Sequence, residues 1–214
     1  MRSSSTIPTA EQSGAIGLLG GTFDPIHCGH LAAARQVRER AGLEQVWLMP
    51  NALPPHRAQP PEAGAQDRLA MVRLALDGDP ALGVCDLEIA RGGRSYTVDS
   101  LDALRQLHPD RSFALLLGYD VALGIRGWRE PDRLLRSTPI VVFNRAGESP
   151  PSRARLGELG FDLGRTRLIE IDSPAVSGHE LRVRLRRGEP VEDLVPAAVA
   201  EYIRRHRLYE GRVG

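Results

Sequence analysis

The sequence of 214 residues contains no lysine, and all 28 of its basic residues are arginines. Without a lysine amine, the chain cannot form a Schiff base with a substrate or with pyridoxal phosphate, nor a lysyl-AMP intermediate. The P-loop of Walker-type NTPases also requires a lysine, so this class is excluded. Phosphate binding must therefore use arginine, histidine or backbone N–H groups.

Cysteine and long apolar runs are scarce. The two cysteines, Cys28 and Cys85, lie far apart and form no CxxC pattern, which favours reduced thiols in a cytoplasmic protein. No apolar run approaches the length of a membrane span, and the N-terminus has no apolar signal core. We expect a cytoplasmic protein without membrane association, in which residues 1–13 are a flexible tail.

Neither sign of charge is in excess, since the formal net charge is +1. The whole molecule therefore offers no electrostatic reason to bind nucleic acid or a membrane, and we predict no nucleic-acid partner. A chain of this length can bury a core without disulfides or metal ions. We expect residues 14–214 to form a single domain, and the sequence makes no prediction of the oligomeric state.

Short apolar runs alternate with segments of helical spacing along most of the chain. Several runs are apolar on both faces, which is typical of parallel strands covered by helices. We therefore predict an α/β fold: a Rossmann-like parallel sheet with helices on both faces, followed by C-terminal helices. Strands are predicted at 15–20, 46–49, 84–89, 113–117, 140–143 and 168–171. Helices are predicted at 28–41, 67–76, 98–107, 131–135, 178–187 and 196–205, with a proline-rich loop at 50–64 and a variable connection at 144–166.

The most informative segment is 20–30, which reads GGTFDPIHCGH between the first strand and the first helix. Its glycines allow the backbone to approach a phosphate, and the helix start offers unpaired N–H groups to an anion. His27 and His30 are three residues apart, so both can face a ligand at the helix start. Two other interpretations stay open: a turn with one capping histidine, and a metal site that lacks an obvious third ligand.

The whole string, GGTFDP followed by HxGH, resembles the nucleotidyltransferase superfamily. Further pieces resemble bacterial nicotinate mononucleotide adenylyltransferases, and the likeness extends from about residue 15 to residue 209. These pieces are PNALPPHR at 50–57, SYTVDSL at 95–101, LGYD at 117–120, Trp128, VSGHELRVRL at 176–185 and the tail at 196–209. The resemblance implies a single nucleotidyltransferase domain at 14–214.

The resemblance also implies two groups of binding residues. The backbone near Thr97 would hold the nicotinate carboxylate, and Trp128 would stack on the pyridine ring. His27 and His30 would be catalytic and contact the α-phosphate region. The implied ATP set is Gly21, Thr22, Phe23, His30, Gly118, Asp120, Ser177 and Arg182. The implied mononucleotide set is Asn51, His56, Arg57, Thr97 and Trp128.

The activity implied by the resemblance is the transfer of an adenylyl group from ATP to nicotinate mononucleotide. The products are nicotinate adenine dinucleotide and pyrophosphate, a step of NAD biosynthesis. The attacking phosphate is already ionised, so no general base is needed, and catalysis is positioning plus charge neutralisation. We expect Mg²⁺ to arrive with ATP and to need no dedicated protein ligands.

Each piece of the resemblance also has a purely structural interpretation. The PPHR run can be an exposed loop, and Ser95 or Thr97 can cap the following helix. Trp128 can be a core or rim aromatic, and LGYD a plain strand-to-loop turn. A sibling adenylyltransferase for pantetheine phosphate or nicotinamide mononucleotide is one rival, and a nucleotide-binding regulator without catalysis is another. An aminoacyl-tRNA synthetase is excluded, because the chain has no lysine for a KMSKS-like loop.

The chain departs from the family pattern at the start of the helix predicted at 178–187. The family motif is roughly ISSTxIR, whereas this sequence has VSGHELR, so that Gly178 and His179 replace two hydroxyl residues. Ser177 can still cap the helix, and Gly178 leaves the backbone N–H groups accessible to phosphate.

Overall fold

A computed structural model describes residues 14–54, 59–144 and 152–210. The expected tail at 1–13 and the predicted site residues His56 and Arg57 lie outside these residues. The strands are β1 Ile16–Gly21, β2 Gln45–Pro50, β3 Leu82–Val84, β4 Phe113–Gly118, β5 Ile140–Phe143 and β6 Thr166–Ile169. The helices are α1 Cys28–Ala41, α2 Ala65–Leu76, α3 Leu87–Arg91, α4 Thr97–Leu107, α5 Tyr119–Leu123, α6 Pro131–Ser137, α7 Arg153–Glu158, α8 Gly178–Arg186 and α9 Ala197–Arg205.

The six strands form one sheet in the order β3-β2-β1-β4-β5-β6, and all neighbours are parallel. At its centre Leu18 of β1 lies opposite Trp47 of β2 on one side and Leu115 of β4 on the other. The winding of the chain reverses between β1 and β4, which opens a crevice at the carboxyl ends of these strands. The predicted Rossmann-like sheet is confirmed.

Helices cover both faces of the sheet, as predicted. The alternation along β4 shows why: Ala114 and Leu116 belong to one apolar cluster, whereas Leu115 and Leu117 belong to the other. The first cluster takes side chains from α1, α2, α8 and α9, and the second from α4, α5, α6 and α7. A strand that is buried on both faces must be apolar throughout, which explains the sequence FALLL at 113–117.

The predicted strand at 84–89 is wrong. Strand β3 ends at Val84, and α3 begins at Leu87. The alternation of apolar and polar residues in this run is the pattern of a half-buried strand. Glu88 and Ile89 are nevertheless both buried although they are adjacent, which a strand with one buried face does not allow. Gly92, with φ of 70°, ends the helix.

The region between β5 and the C-terminal helices also differs from the prediction. The connection at 144–166 contains helix α7, and the last strand lies at Thr166–Ile169 rather than at 168–171. The bounds of β6 follow from its pairing with β5, which extends from Thr166 opposite Ile140 to Ile169 opposite Phe143. Within it, the Arg167 guanidinium donates to the carbonyls of Arg40 and Ala41, at the end of α1. Within the described residues, no helix is both long and apolar enough to cross a bilayer.

Candidate active site

A cleft of about 1090 Å³ opens at the carboxyl ends of β1 and β4. Its walls come from the turn after β1 and from the N-terminal ends of α1, α4, α5 and α8. Every member of the ATP and mononucleotide sets that falls in the described residues lines this cleft, as does His27. They are Gly21, Thr22, Phe23, His27, His30, Asn51, Thr97, Gly118, Asp120, Trp128, Ser177 and Arg182.

The turn after β1 is shaped by Phe23. Its backbone is left-handed, with φ of 50°, which is uncommon for a residue other than glycine. The buried ring packs edge-on against His30, with 5.1 Å between the ring centroids. The same ring covers Gly21, where a Cβ would lie 2.7 Å from it. Gly21 is therefore required by the aromatic ring next to it, whatever role it has toward a phosphate.

The two histidines begin helix α1. His27 is the N-cap residue, and its ring stacks on that of His30 with 3.6 Å between the centroids. Nδ1 of His30 accepts a hydrogen bond of 3.3 Å from the backbone N–H of His27. An accepting Nδ1 leaves the proton of a neutral imidazole on Nε2, so Nε2 of His30 can donate to a ligand. His27 can therefore be the N-cap residue of α1 and still line the cleft.

Arg68 joins the turn after β1 to the loop after β2. This residue of α2 is only 1% exposed. Its guanidinium donates to the carbonyls of Thr22 at 2.8 Å, Ala52 at 3.0 Å and Ala63 at 3.3 Å. Charge-assisted hydrogen bonds of this kind are about twice as strong as neutral ones. Arg68 therefore fixes the floor of the cleft, although it does not line it.

The start of α8 forms a second wall beside the histidines. The Ser177 hydroxyl accepts from the N–H of Glu180, so the expected cap is present. Arg182 lies one turn further along, where Nε donates to Glu62 at 2.7 Å and Nη1 donates to the carbonyl of Asp24 at 2.7 Å. Gly178 also lines the cleft. The N-terminal end of α8 therefore offers backbone N–H groups and a fixed guanidinium on the same side of the cleft.

The opposite side of the cleft begins at the end of β2. The Asn51 amide donates to the Thr22 hydroxyl at 3.4 Å, and its backbone N–H donates to the carbonyl of Gly21 at 3.0 Å. Two residues of the mononucleotide set that follow in this loop, His56 and Arg57, lie outside the described residues. Asn51, a member of the mononucleotide set, is thus hydrogen-bonded to two members of the ATP set.

Helix α4 starts within the cleft at Thr97, one residue earlier than predicted. Its N-cap residue is Tyr96, which makes no capping hydrogen bond through its side chain. The Ser95 hydroxyl accepts from the backbone N–H of Ala52 at 3.0 Å, so Ser95 ties this turn to the neighbouring loop. The interpretation of Ser95 or Thr97 as a helix cap is wrong, because the N-cap residue is Tyr96.

Glu88 lines the cleft beside this turn, and it was assigned to the mistaken strand. It is 3% exposed, and its carboxylate accepts from the Ser100 hydroxyl at 2.7 Å. The hydroxyl of Ser100 in turn accepts from Arg91 at 2.9 Å. Burial raises the pKa of the Glu88 carboxyl above its usual range. Glu88 is thus an internal anchor between α3 and α4 next to the mononucleotide set.

Trp128 is half-buried at the rim of the cleft. It lines the cleft, and it also packs against the apolar cluster on the α4 face of the sheet. Beside it, the Arg129 guanidinium lies 4.8 Å from the centroid of the Tyr96 ring. Arg129 also pairs with Asp99 at 3.2 Å, so the rim at this end combines aromatic rings with an ion-paired guanidinium.

A dedicated metal site is not evident in the described part of the chain. There, no three histidine, cysteine, aspartate or glutamate side chains come together in a group able to hold a metal ion. His27 and His30 accordingly find no third ligand among these residues.

Comparison with known proteins gives the family. Residues 18–184 match a family model described as cytidylyltransferase-like. A probable nicotinate-nucleotide adenylyltransferase of Symbiobacterium thermophilum is 46% identical over 196 residues, which cover 91% of this chain and 94% of the relative. The chain belongs to the nicotinate-nucleotide adenylyltransferase family. A second family member, from Pseudomonas putida, is 41% identical over 91% of this chain and 94% of its own.

Solved structures agree on the fold of this nicotinate-nucleotide adenylyltransferase family member. A nicotinic acid mononucleotide adenylyltransferase of Plasmodium falciparum, solved in complex with NaAD, superposes with a TM-score of 0.76 at 21% identity. The match covers 92% of this chain and 97% of that one. Membership of the family confirms the expected class of enzyme, a nucleotidyltransferase, over a regulator without catalysis.

Four residues that support the cleft of this family member were not among the predicted site residues: Asp24, Arg68, Glu88 and Tyr209. Asp24 belonged to the recognised motif but received no role. Arg68 is four residues before Val72 and therefore on the apolar stripe of α2, which is a signal that an arginine is buried. Glu88 was hidden by the mistaken strand. Nothing in the local sequence distinguished Tyr209, whose role depends on where the C-terminus packs.

Proposed function

We propose that this protein transfers the adenylyl group of ATP to nicotinate mononucleotide and releases nicotinate adenine dinucleotide and pyrophosphate. The observation that carries the proposal is a single cleft with two different ends. One end has the paired histidines at the start of α1, beside the N-terminal end of α8. The other has the N-terminal end of α4 beside Trp128. The names of the relatives agree with this reaction.

At the first end, the ATP set binds the triphosphate. Backbone N–H groups of Gly21, Thr22 and Phe23 face the phosphates, and Ser177 with Arg182 holds the β- and γ-phosphates. Nε2 of His30 donates to the α-phosphate, where negative charge grows as the new bond forms. His27 supports this geometry through its stacked ring. Gly118 and Asp120, at the end of β4 and the start of α5, lie beside the adenosine.

At the second end, the mononucleotide set selects the acceptor. The N–H groups near Thr97 bind the nicotinate carboxylate, since a helix start favours an anion. Trp128 stacks on the pyridine ring, and Asn51, His56 and Arg57 belong to the loop over the mononucleotide. The phosphate of the mononucleotide then attacks the α-phosphorus in line, and pyrophosphate leaves on the opposite side. No covalent enzyme intermediate forms.

The metal ion belongs to the substrate in this scheme. Mg²⁺ enters bound to the triphosphate of ATP, because Mg²⁺ usually binds through substrate phosphates rather than through protein ligands alone. It neutralises charge on the leaving pyrophosphate. The protein positions the two substrates and contributes Arg182 and the two histidines.

The test is to identify the product. The full chain is incubated with MgATP and nicotinate mononucleotide, and mass spectrometry is combined with a pyrophosphate assay. We expect nicotinate adenine dinucleotide and pyrophosphate in equal amounts. Parallel reactions contain nicotinamide mononucleotide or pantetheine phosphate as acceptor. A faster reaction with pantetheine phosphate, or ATP binding without pyrophosphate release, would contradict the proposal.

A further inference from the structure

The Asp24 carboxylate, in the turn after β1, is a buried meeting point of the cleft loops. Its side chain is 3% exposed. Oδ1 accepts from the N–H of Ala63 at 3.0 Å, and Oδ2 accepts from the N–H of Glu62 at 2.8 Å. Arg182 donates to the backbone carbonyl of the same residue. Asp24 therefore connects the turn after β1, the end of the loop after β2, and α8.

One further donor comes from the far end of the chain. The phenol of Tyr209 donates to Oδ1 of Asp24 at 2.8 Å, across 185 positions of sequence. Tyr209 is 7% exposed, and it is not among the residues that line the cleft. Burial, together with the neighbouring Asp24 carboxylate, raises the pKa of the phenol, so that Tyr209 remains a proton donor.

The backbone on both sides of this hydrogen bond is strained. Tyr209 has φ of 64°, and Phe23, the residue before Asp24, has φ of 50°. A bulky residue in the left-handed region is a costly conformation that persists only when its surroundings impose it. The phenol–carboxylate bond joins two such segments, so each holds the other in place.

We propose that Tyr209 is a positioning residue for adenylyl transfer, acting through Asp24 to fix the turn that carries Thr22 and Phe23. The inference rests on the proposed binding of ATP at that turn. Loss of the phenol donor leaves a buried carboxylate with one partner fewer, and this carboxylate then rearranges together with the turn and Arg182. Groups that position the triphosphate are displaced as a result, although no residue that touches ATP has changed.

The test compares two tyrosines of the C-terminal segment. Tyr209→Phe removes the hydroxyl that reaches Asp24. Tyr202→Phe is the matched control, because its hydroxyl also donates to a carboxylate, Asp67 at 3.0 Å, but in α2 and away from the cleft. KM for ATP, KM for the mononucleotide and kcat are measured at a temperature well below the Tm of both variants.

We expect Tyr209→Phe to raise KM for ATP and lower kcat, with kcat/KM for ATP reduced at least about fivefold, because small displacements of positioning groups have large effects on rate. Tyr202→Phe should leave both constants within about twofold of the parent, a difference of about 0.4 kcal/mol. A merely structural role of Tyr209 predicts a lower Tm and a smaller active fraction, which reduces kcat and leaves KM for ATP unchanged. That result would overturn the proposal.

A double variant tests the route through Asp24. In an Asp24→Asn background, the added Tyr209→Phe change should lower kcat/KM for ATP by less than twofold, because the two residues act as one unit. Full additivity of the two effects would contradict action through Asp24. A wrong placement of ATP would give a different result: the parent protein would still form the dinucleotide, but His30→Ala would retain its kcat. This result distinguishes a wrong ATP site from a wrong role for Tyr209.

Discussion

The turn after β1, at the end of the cleft assigned to ATP, is buried and densely hydrogen-bonded, whereas the rim around Trp128, at the end assigned to the mononucleotide, is more open. His27 and Asp24 are each 6% exposed, and Arg68 beneath them is 1% exposed. At the other end, Trp128 is half-buried and the side chain of Arg129 is 49% exposed. Stabilisation of charge that develops during a reaction requires donors fixed in advance. Recognition of an aromatic ring needs a stacking surface and a few polar contacts.

This difference predicts a different kind of damage at each end. Substitutions at the ATP end should lower turnover, because the donors there act on the transition state. Substitutions at the mononucleotide end should weaken binding of one substrate and leave the other unaffected. The variants below test this division, from the largest expected effect to the smallest.

The largest effect is expected for His30→Ala. Loss of one preorganised donor to a developing charge typically lowers kcat about a hundredfold or more. KM for ATP should change much less, since the hydrogen bond strengthens only as the reaction proceeds. Steady-state kinetics of this variant, with His206→Ala as a control on an exposed histidine outside the cleft, measure both constants. A kcat within about threefold of the parent means that His30 is misassigned.

Trp128→Ala should act on the mononucleotide alone. Stacking on an aromatic side chain is worth roughly 1–3 kcal/mol, so the dissociation constant should rise about fivefold or more. Trp47→Ala is the matched control, because Trp47 packs against the same apolar cluster but does not line the cleft. Calorimetric titrations with each substrate, together with melting curves, separate binding from stability. An unchanged affinity with a large loss of Tm would leave Trp128 only a packing role.

The acid substrate should be preferred to the amide at the α4 end. Backbone N–H groups near Thr97 bind a carboxylate more strongly than a carboxamide, which brings its own donor to face them. We expect at least about a tenfold preference in kcat/KM, or about 1.4 kcal/mol. Initial rates with nicotinate and nicotinamide mononucleotides measure it, and equal values for the two would contradict this recognition.

The smallest effect concerns Glu88, the buried carboxylate at the more open end. Its raised pKa means that the folded protein holds this proton more tightly than the unfolded chain does. The resulting stability is present below the ordinary carboxyl value of 4.5 and is lost as pH rises through the raised pKa. Glu88→Gln, whose amide oxygen can still accept from Ser100, removes this dependence. Its Tm relative to the parent should rise between about pH 4 and pH 7, and a constant difference would refute the account.

Much of the fold followed from local patterns in the sequence. The doubly buried strands FALLL and IVVF could be recognised because short, wholly apolar runs that alternate with helical segments are typical of a parallel sheet covered on both faces. The GGTFDPIHCGH string placed His27 and His30 at the start of α1, and the structure agrees. Local signals were sufficient where a strand, a turn and a helix start were contiguous.

The parts that failed depend on distant contacts. Residues 84–89 alternate like a strand, yet Glu88 is buried because Ser100, twelve residues later, supplies a donor. Arg167 belongs to β6 because its backbone pairs with β5 opposite Val141, and its guanidinium reaches the end of α1. Tyr209 touches Asp24 across almost the whole chain. No short window of sequence contains both members of these pairs, so pattern and propensity alone cannot predict them.

The most direct test of the division between the two ends is a crystal structure with nicotinate mononucleotide and a non-hydrolysable ATP analogue. We predict the triphosphate within hydrogen-bonding distance of Nε2 of His30 and of the N–H groups at the start of α8. The pyridine ring should stack on Trp128, with its carboxylate at the N–H groups near Thr97. A triphosphate bound away from both histidines, or a pyridine ring away from Trp128, would contradict the account.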